Sequence, residues 1–136
     1  MKGNDMTYTI LKKAGLATIA ALTITATLPT ASAMAKEATT EKFVVQKTTD
    51  GRIKLGVKAF KKGDFEKTVR VTRSALNAAL SPKKAAIAHS NLCAAYAKLE
   101  MLDKAQQACA AALELRPGYE AAQTNKASLT IRLAQK

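Results

Sequence analysis

A repeated pattern of helical segments most constrains the fold of this chain. From about residue 50 to the C-terminus, apolar residues recur at the three- and four-residue spacing of amphipathic helices. A shift of 37 residues aligns Gly56 with Cys93 and Phe65 with Leu102, and a further shift of 34 aligns Cys93 with Ala127. A period in this range indicates stacked helical hairpins, because one hairpin cannot bury both of its faces alone.

Turn and capping residues divide this region into five predicted helices. Gly63-Asp64 ends the first helix and caps the second, and Ser81-Pro82 begins the third. Asp103 is the expected cap of the fourth helix, and Arg116-Pro117-Gly118 separates it from the fifth. The chain is rich in alanine, with 6 Gly, 3 Pro and no Trp, so its core must be built from small aliphatic side chains. An all-α domain is therefore predicted over residues 50–136.

The clearest repeat lies in residues 86–119. Leu92, Tyr96, Ala105 and Pro117 follow the order Trp-x-x-Leu-Gly-x-x-Tyr, then Ala-x-x-x-Phe, then Pro. This order resembles the tetratricopeptide repeat (TPR), with three departures. Where the family has Trp, Gly and Phe, this chain has His89, Cys93 and Cys109. The resemblance implies a TPR-like solenoid of helix-turn-helix repeats, with two repeats plus a C-terminal capping helix.

The resemblance also implies where a partner would bind. TPR domains bind peptides or proteins on the concave face formed by the first helix of each repeat. The register predicts these partner-binding residues on that face: Ile53, Val57, Phe60, Lys61, Asn91, Lys98 and Arg132. The three cations among them are separated by 37 and 34 residues, so they are predicted to form a basic row for an acidic partner. The alternative role of these cations is to complement the negative C-terminal ends of their own helices.

The N-terminal part of the chain has the layout of a targeting segment. Lys12-Lys13 precede an apolar run of about 15 residues, which is shorter than a membrane span, and Ala31-Ser32-Ala33 follows Pro29. Residues 1–33 are therefore predicted to be a secretory signal peptide, and the protein is expected in a bacterial periplasm. Residues 34–49 are predicted to be a flexible linker, with Phe43 as a candidate docking residue.

Catalysis and cofactor binding are not expected. One His and two Cys are too few for a four-ligand zinc finger or an iron–sulfur cluster, and neither a nucleophile triad nor a Gly-rich phosphate loop is present. The predicted function is thus a non-enzymatic protein–protein interaction. A net charge of +12 keeps a second function open, the electrostatic binding of envelope polyanions or a membrane surface. Nucleic acid is not an expected partner, because the basic clusters lack interleaved aromatic residues for base stacking.

The two cysteines have three alternative roles. In the TPR register the hairpin turn lies near Met101, and Cys93 and Cys109 each stand eight residues from it. Residues at equal distances from an antiparallel turn lie at the same height, so a disulfide is predicted in an oxidising compartment. The alternatives are two buried free thiols or a thiol-active site. Two repeats and a cap are fewer than the usual three repeats, so a covalent tie or self-association would stabilise the fold.

Overall fold

A computed structural model describes residues 40–136, where five α-helices follow an extended N-terminal segment. No strand occurs in this range, so the predicted all-α class is confirmed. None of the helices described there is long and apolar enough to cross a membrane. The predicted signal peptide lies outside the described residues. The helices are α1 (Gly51–Lys61), α2 (Phe65–Leu76), α3 (Pro82–Lys98), α4 (Leu102–Leu115) and α5 (Glu120–Ala134).

The helix boundaries follow from local capping. The Asp50 side chain accepts hydrogen bonds from the backbone N–H groups of Arg52 and Ile53, and Asp64 caps α2 in the same way. Pro82 is the first residue of α3. The expectation for Asp103 was wrong: α4 begins at Leu102 with Met101 as its cap, and Asp103 lies in its first turn. Its carboxylate still complements the positive end of the helix there.

The helices pack as hairpins with close contacts between small residues. The helix α1 packs against α2 and α3 against α4, while α2 also contacts α3, and α5 contacts both α3 and α4. Gly56 of α1 permits the first contact, because a Cβ atom there would lie 2.5 Å from Thr72 Oγ1 of α2. The Thr68 hydroxyl of α2 donates to the Gly56 carbonyl at 3.1 Å. Glycine at this position therefore sets the spacing between α1 and α2.

The predicted disulfide between Cys93 and Cys109 is confirmed. It joins α3 to α4 with the two Cα atoms 5.1 Å apart, and both half-cystines are buried. The alternative of two free thiols is wrong, and a thiol-active site has no free cysteine in this state. Around the disulfide, a buried cluster includes Leu92, Tyr96 and Leu129. The bridge thus ties together the part of the core on which α5 packs.

Candidate functional site

An extended segment, residues 41–46, lies along α3 and α5 and is called the strap below. Two buried asparagines hold its main chain. The Val44 N–H donates to Asn125 Oδ1 at 2.7 Å, and Asn125 Nδ2 donates back to the Val44 carbonyl at 2.9 Å. Asn91 makes the same pair of bonds to Gln46, both at 2.8 Å. Each carboxamide therefore satisfies both main-chain groups of one strap residue, as a neighbouring β-strand would.

A serine extends this pattern to a third strap residue. The Lys42 N–H donates to Ser128 Oγ at 3.0 Å, and the Ser128 hydroxyl donates to the Lys42 carbonyl at 2.9 Å. Alternate strap residues, 42, 44 and 46, are thus bonded through their main chains by α5 and α3. Alternation by two residues is the geometry of an extended chain. At these three residues, α3 and α5 bind the extended chain through its backbone.

Asn125 is the most deeply buried of the three side chains that bind the strap. Its side chain has no exposed surface, and Nδ2 also donates to the Ser90 carbonyl at 3.0 Å and contacts Ser90 Oγ at 3.1 Å. Asn125 therefore connects α5, α3 and the strap in one network. A buried amide is stabilising only when it is hydrogen-bonded, so the strap supplies bonds that the core requires.

One end of the strap carries a partly buried ion pair. The Arg132 guanidinium donates from Nε to both Glu41 carboxylate oxygens at 2.9 Å and from Nη2 to Oε2. Its Nη1 donates to the Ala97 carbonyl at 2.7 Å and to Glu100 at 2.6 Å. Hydrogen bonding to Arg132 lowers the pKa of Glu41, and nearby Lys98 lowers that pKa further by its charge. The same hydrogen bond raises the pKa of Arg132.

The ring of Phe43, two residues after Glu41, also contacts the helices. The Lys98 Nζ atom lies 5.3 Å from the ring centroid and the Arg132 Cζ atom lies 5.5 Å from it, both within cation–π range. Phe43 also packs on the buried cluster that contains the disulfide. Docking through Phe43, expected from the sequence, is therefore seen. Residues 41–46 of the predicted linker are in contact with the helices.

A tyrosine binds the opposite end of the strap. The Tyr119 hydroxyl donates to Gln46 Oε1 at 2.8 Å, and the Tyr119 side chain is buried. Burial raises the pKa of Tyr119 to about 12. The phenol therefore remains protonated, and a donor, at all physiological pH values. The strap is bound at its two ends through side chains and in between through its backbone.

The structure brings three of the seven predicted partner-binding residues to the strap: Asn91, Lys98 and Arg132. Ile53 and Val57 are instead buried, at 0% and 1% exposure, and Ile53 belongs to a core cluster on which Val44 packs. They offer no surface to an external partner in this state, because the hairpin contacts and the strap cover them.

The other two predicted residues lie at the C-terminal end of α1. The Phe60 ring contacts that of Phe65 edge to face, with the centroids 5.2 Å apart. Lys61 is exposed and borders a shallow depression lined by five lysines: Lys47, Lys54, Lys58, Lys61 and Lys62. Lys61 is therefore placed differently from Lys98 and Arg132, although all three lie in the last turns of their helices.

Three further residues hold the strap but stand outside the seven predicted partner-binding residues: Tyr119, Asn125 and Ser128. A signal for two of them was present, since Asn125 follows Asn91 by 34 residues, the repeat interval, and Ser128 lies one helical turn further on. Amide and hydroxyl groups on an otherwise buried helix face require partners, and an extended backbone supplies them.

Comparison of the chain with protein-family models, with curated proteins and with solved structures gives no match. The functional argument therefore depends on the geometry of the strap and the helices that hold it.

Acid is expected to loosen the strap at its Glu41 end. The pKa of Glu41 is lowered from 4.5 in the folded chain, so the stabilisation is complete above pH 4.5 and is lost as the pH falls through the lowered value. Loss of this charged hydrogen bond should weaken the local stability by about 1–2 kcal/mol. Chemical shifts of the Phe43 ring, followed by NMR from pH 7 to pH 2, should report the change.

The variant Glu41→Gln provides the control for this titration. It keeps the shape of the side chain but has no carboxylate to protonate. The Phe43 shifts should then show no step over the same pH range. A step of unchanged size in this variant would assign the acid sensitivity to another group.

Proposed function

We propose that this protein is an exported, non-enzymatic interaction module that binds an extended segment of a partner protein. The site is the face of α3 and α5 that holds the strap. The single observation that supports the proposal most is the main-chain binding by Asn91, Asn125 and Ser128. Side chains that bind a backbone at every second residue are suited to any extended peptide, as an exposed sheet edge is.

The TPR-like arrangement is part of this proposal. Two helical hairpins followed by α5 agree with two repeats and a capping helix. The matching roles of Asn91 in α3 and Asn125 in α5 add support, because residues at one repeat interval then perform the same function. In this arrangement α1, α3 and α5 would form the concave face.

Export is supported by the disulfide and by the predicted signal peptide. A buried Cys93–Cys109 bridge is weakly compatible with an oxidising compartment, where such bonds persist. The bacterial periplasm is the proposed location within that class. Purification from a periplasmic fraction, followed by N-terminal sequencing, would show whether the mature chain begins after Ala33.

Photocrosslinking tests the proposed partner site. A photoreactive residue at Lys98, an exposed position beside the strap, should crosslink to one defined segment of another exported protein. The matched control is Lys126, an exposed lysine of α5 that borders a separate depression with residues of α4. Equal crosslinking at both positions, or none at Lys98, would reject partner binding at this face.

A second candidate function is supported by the five-lysine depression at α1. Its cations, defined above, can attract an anionic polymer or membrane surface. The salt dependence of binding distinguishes the two candidate functions. Polyanion binding should fall steeply between about 0.05 and 0.5 M salt, whereas main-chain binding of a peptide should change little.

A further inference from the structure

We infer that the partner segment carries a carboxylate and, two residues later, an aromatic ring, and that it binds by replacing the strap. This inference depends on the proposed function, because it names the partner that the same face accepts. The strap itself supplies the evidence. Its residues Glu41 and Phe43 bind through their side chains and therefore show which side chains this face selects.

The carboxylate position is defined by Arg132. Its guanidinium is fixed by the Ala97 carbonyl and by Glu100 before it meets the strap, and its remaining donors point at Glu41. A guanidinium held in this way binds a planar carboxylate through parallel hydrogen bonds, which neither an amide nor a hydroxyl can reproduce. Only 18% of the Arg132 side chain is exposed, so an uncharged partner residue would leave this cation with Glu100 as its one paired carboxylate among the described residues.

The aromatic position is defined by a mixed surface. Its floor is the apolar cluster around the disulfide, and its rim carries the cations of Lys98 and Arg132. An aromatic ring satisfies both parts, since its edges pack on the apolar floor while its face attracts the cations. An aliphatic side chain would satisfy only the floor. The two selective positions are therefore separated by one residue, as Glu41 and Phe43 are.

The remaining strap positions are held mainly through the backbone, and Val44 also packs on a core cluster while Gln46 accepts a hydrogen bond from the Tyr119 hydroxyl. Lys42 is exposed, and its hydrogen bonds to Ser128 involve the main chain. Asn125 and Asn91 likewise bind Val44 and Gln46 through main-chain groups. Proline is excluded at these three positions, because each donates its N–H.

The strap must compete with any such partner. A segment tethered a few residues before α1 has an effective concentration of about 1 mM or more at its own site. The unaltered chain should therefore bind a free peptide weakly, and weakening the strap should strengthen peptide binding. This behaviour distinguishes a replaceable strap from a permanent part of the core.

The probe is a labelled peptide with the sequence of residues 40–47, Thr-Glu-Lys-Phe-Val-Val-Gln-Lys. It is titrated by fluorescence anisotropy against the unaltered chain and against the double variant Glu41→Gln/Phe43→Ala. The double variant should bind the peptide at least tenfold more tightly than the unaltered chain. The matched control Lys42→Ala keeps every strap hydrogen bond described here and should bind as the unaltered chain does.

Two altered peptides test the pattern itself. Against the double variant, replacing the peptide's Glu with Gln or its Phe with Ala should weaken binding at least fivefold. Equal affinity for all peptides would overturn the pattern and leave the proposed function intact. No binding of any peptide by a double variant that remains folded would overturn both. Self-association of the double variant in place of peptide binding would make a second copy the occupant and overturn the inference.

A second measurement applies if the double variant does not fold. Millimolar peptide is then added to the unaltered chain, and the backbone NMR signals of Val44 and Gln46 are followed. We expect these signals to shift when the unaltered peptide is added and to stay unchanged when the Glu-to-Gln peptide is added. Signals that stay in place at saturating peptide would show a strap that cannot be replaced.

Discussion

Replacement of both Cys93 and Cys109 by alanine is expected to lower the free energy of unfolding by about 3 kcal/mol. The bridge spans a sequence separation of 16 residues, and closing a loop of this size restricts the unfolded chain by about that amount. Small domains have only about 5–15 kcal/mol of stability in total. The loss should therefore appear as a large shift of the urea midpoint between the unaltered chain and the double variant.

Reduction of the unaltered chain provides the control for this experiment. A reductant breaks the bridge without shortening either side chain, so it separates the cross-link from the packing of the two buried residues. Reduced protein and double variant should unfold at similar urea concentrations. A double variant as stable as the oxidised chain would show that the hairpin of α3 and α4 does not need the bond.

The disulfide was predictable because both of its residues belong to adjacent helices joined by a short turn. Equal distance from the turn at Met101 was sufficient to place Cys93 opposite Cys109. The helices themselves were predictable for a related reason: their apolar spacing, the cap at Asp64 and the Pro82 that begins α3 are local features. These local features were sufficient to predict the helices, and the prediction was wrong only at the start of α4.

The strap was not predictable in the same way, because its conformation depends on residues far along the chain. Its hydrogen bonds join residues separated by 45 to 91 positions. The segment Phe43-Val44-Val45 is too short to give a periodic signal of its own. Asn91 and Arg132 were predicted to bind a partner, and here they bind residues of the same chain. Partner binding by these residues stays a prediction, and the strap that contacts them here was not foreseen.

The burial of Ile53 and Val57 has a similar cause. Register alone places them on the inner face of α1, but it cannot show whether that face is open. Packing of α1 against α2, together with the strap residue Val44, closes it. Any partner that uses the face of α3 and α5 would therefore meet main-chain binding groups and cations more than apolar side chains.

Replacement of Asn125 by alanine is expected to cost about 2–3 kcal/mol and to release the strap. The change removes both bonds to Val44 and leaves the Ser90 carbonyl without this buried donor. Unsatisfied buried groups cost about 1–3 kcal/mol each, and part of this cost is recovered when water enters with the strap displaced. Urea unfolding gives the global loss, and hydrogen exchange of the Val44 amide gives the local one.

Asn91→Ala is the matched control, because the hydrogen bonds described for the Asn91 side chain are those to Gln46. It should speed exchange at Gln46 while lowering the free energy of unfolding by only about 1 kcal/mol. The contrast arises from Asn125 joining α3, α5 and the strap, whereas Asn91 joins α3 to the strap alone. Equal losses in the two variants, or a Val44 amide that remains protected in Asn125→Ala, would contradict this assignment. If the contrast is observed, Asn125 is the residue through which strap binding and core stability are coupled, and a partner that replaces the strap must supply the same two backbone bonds.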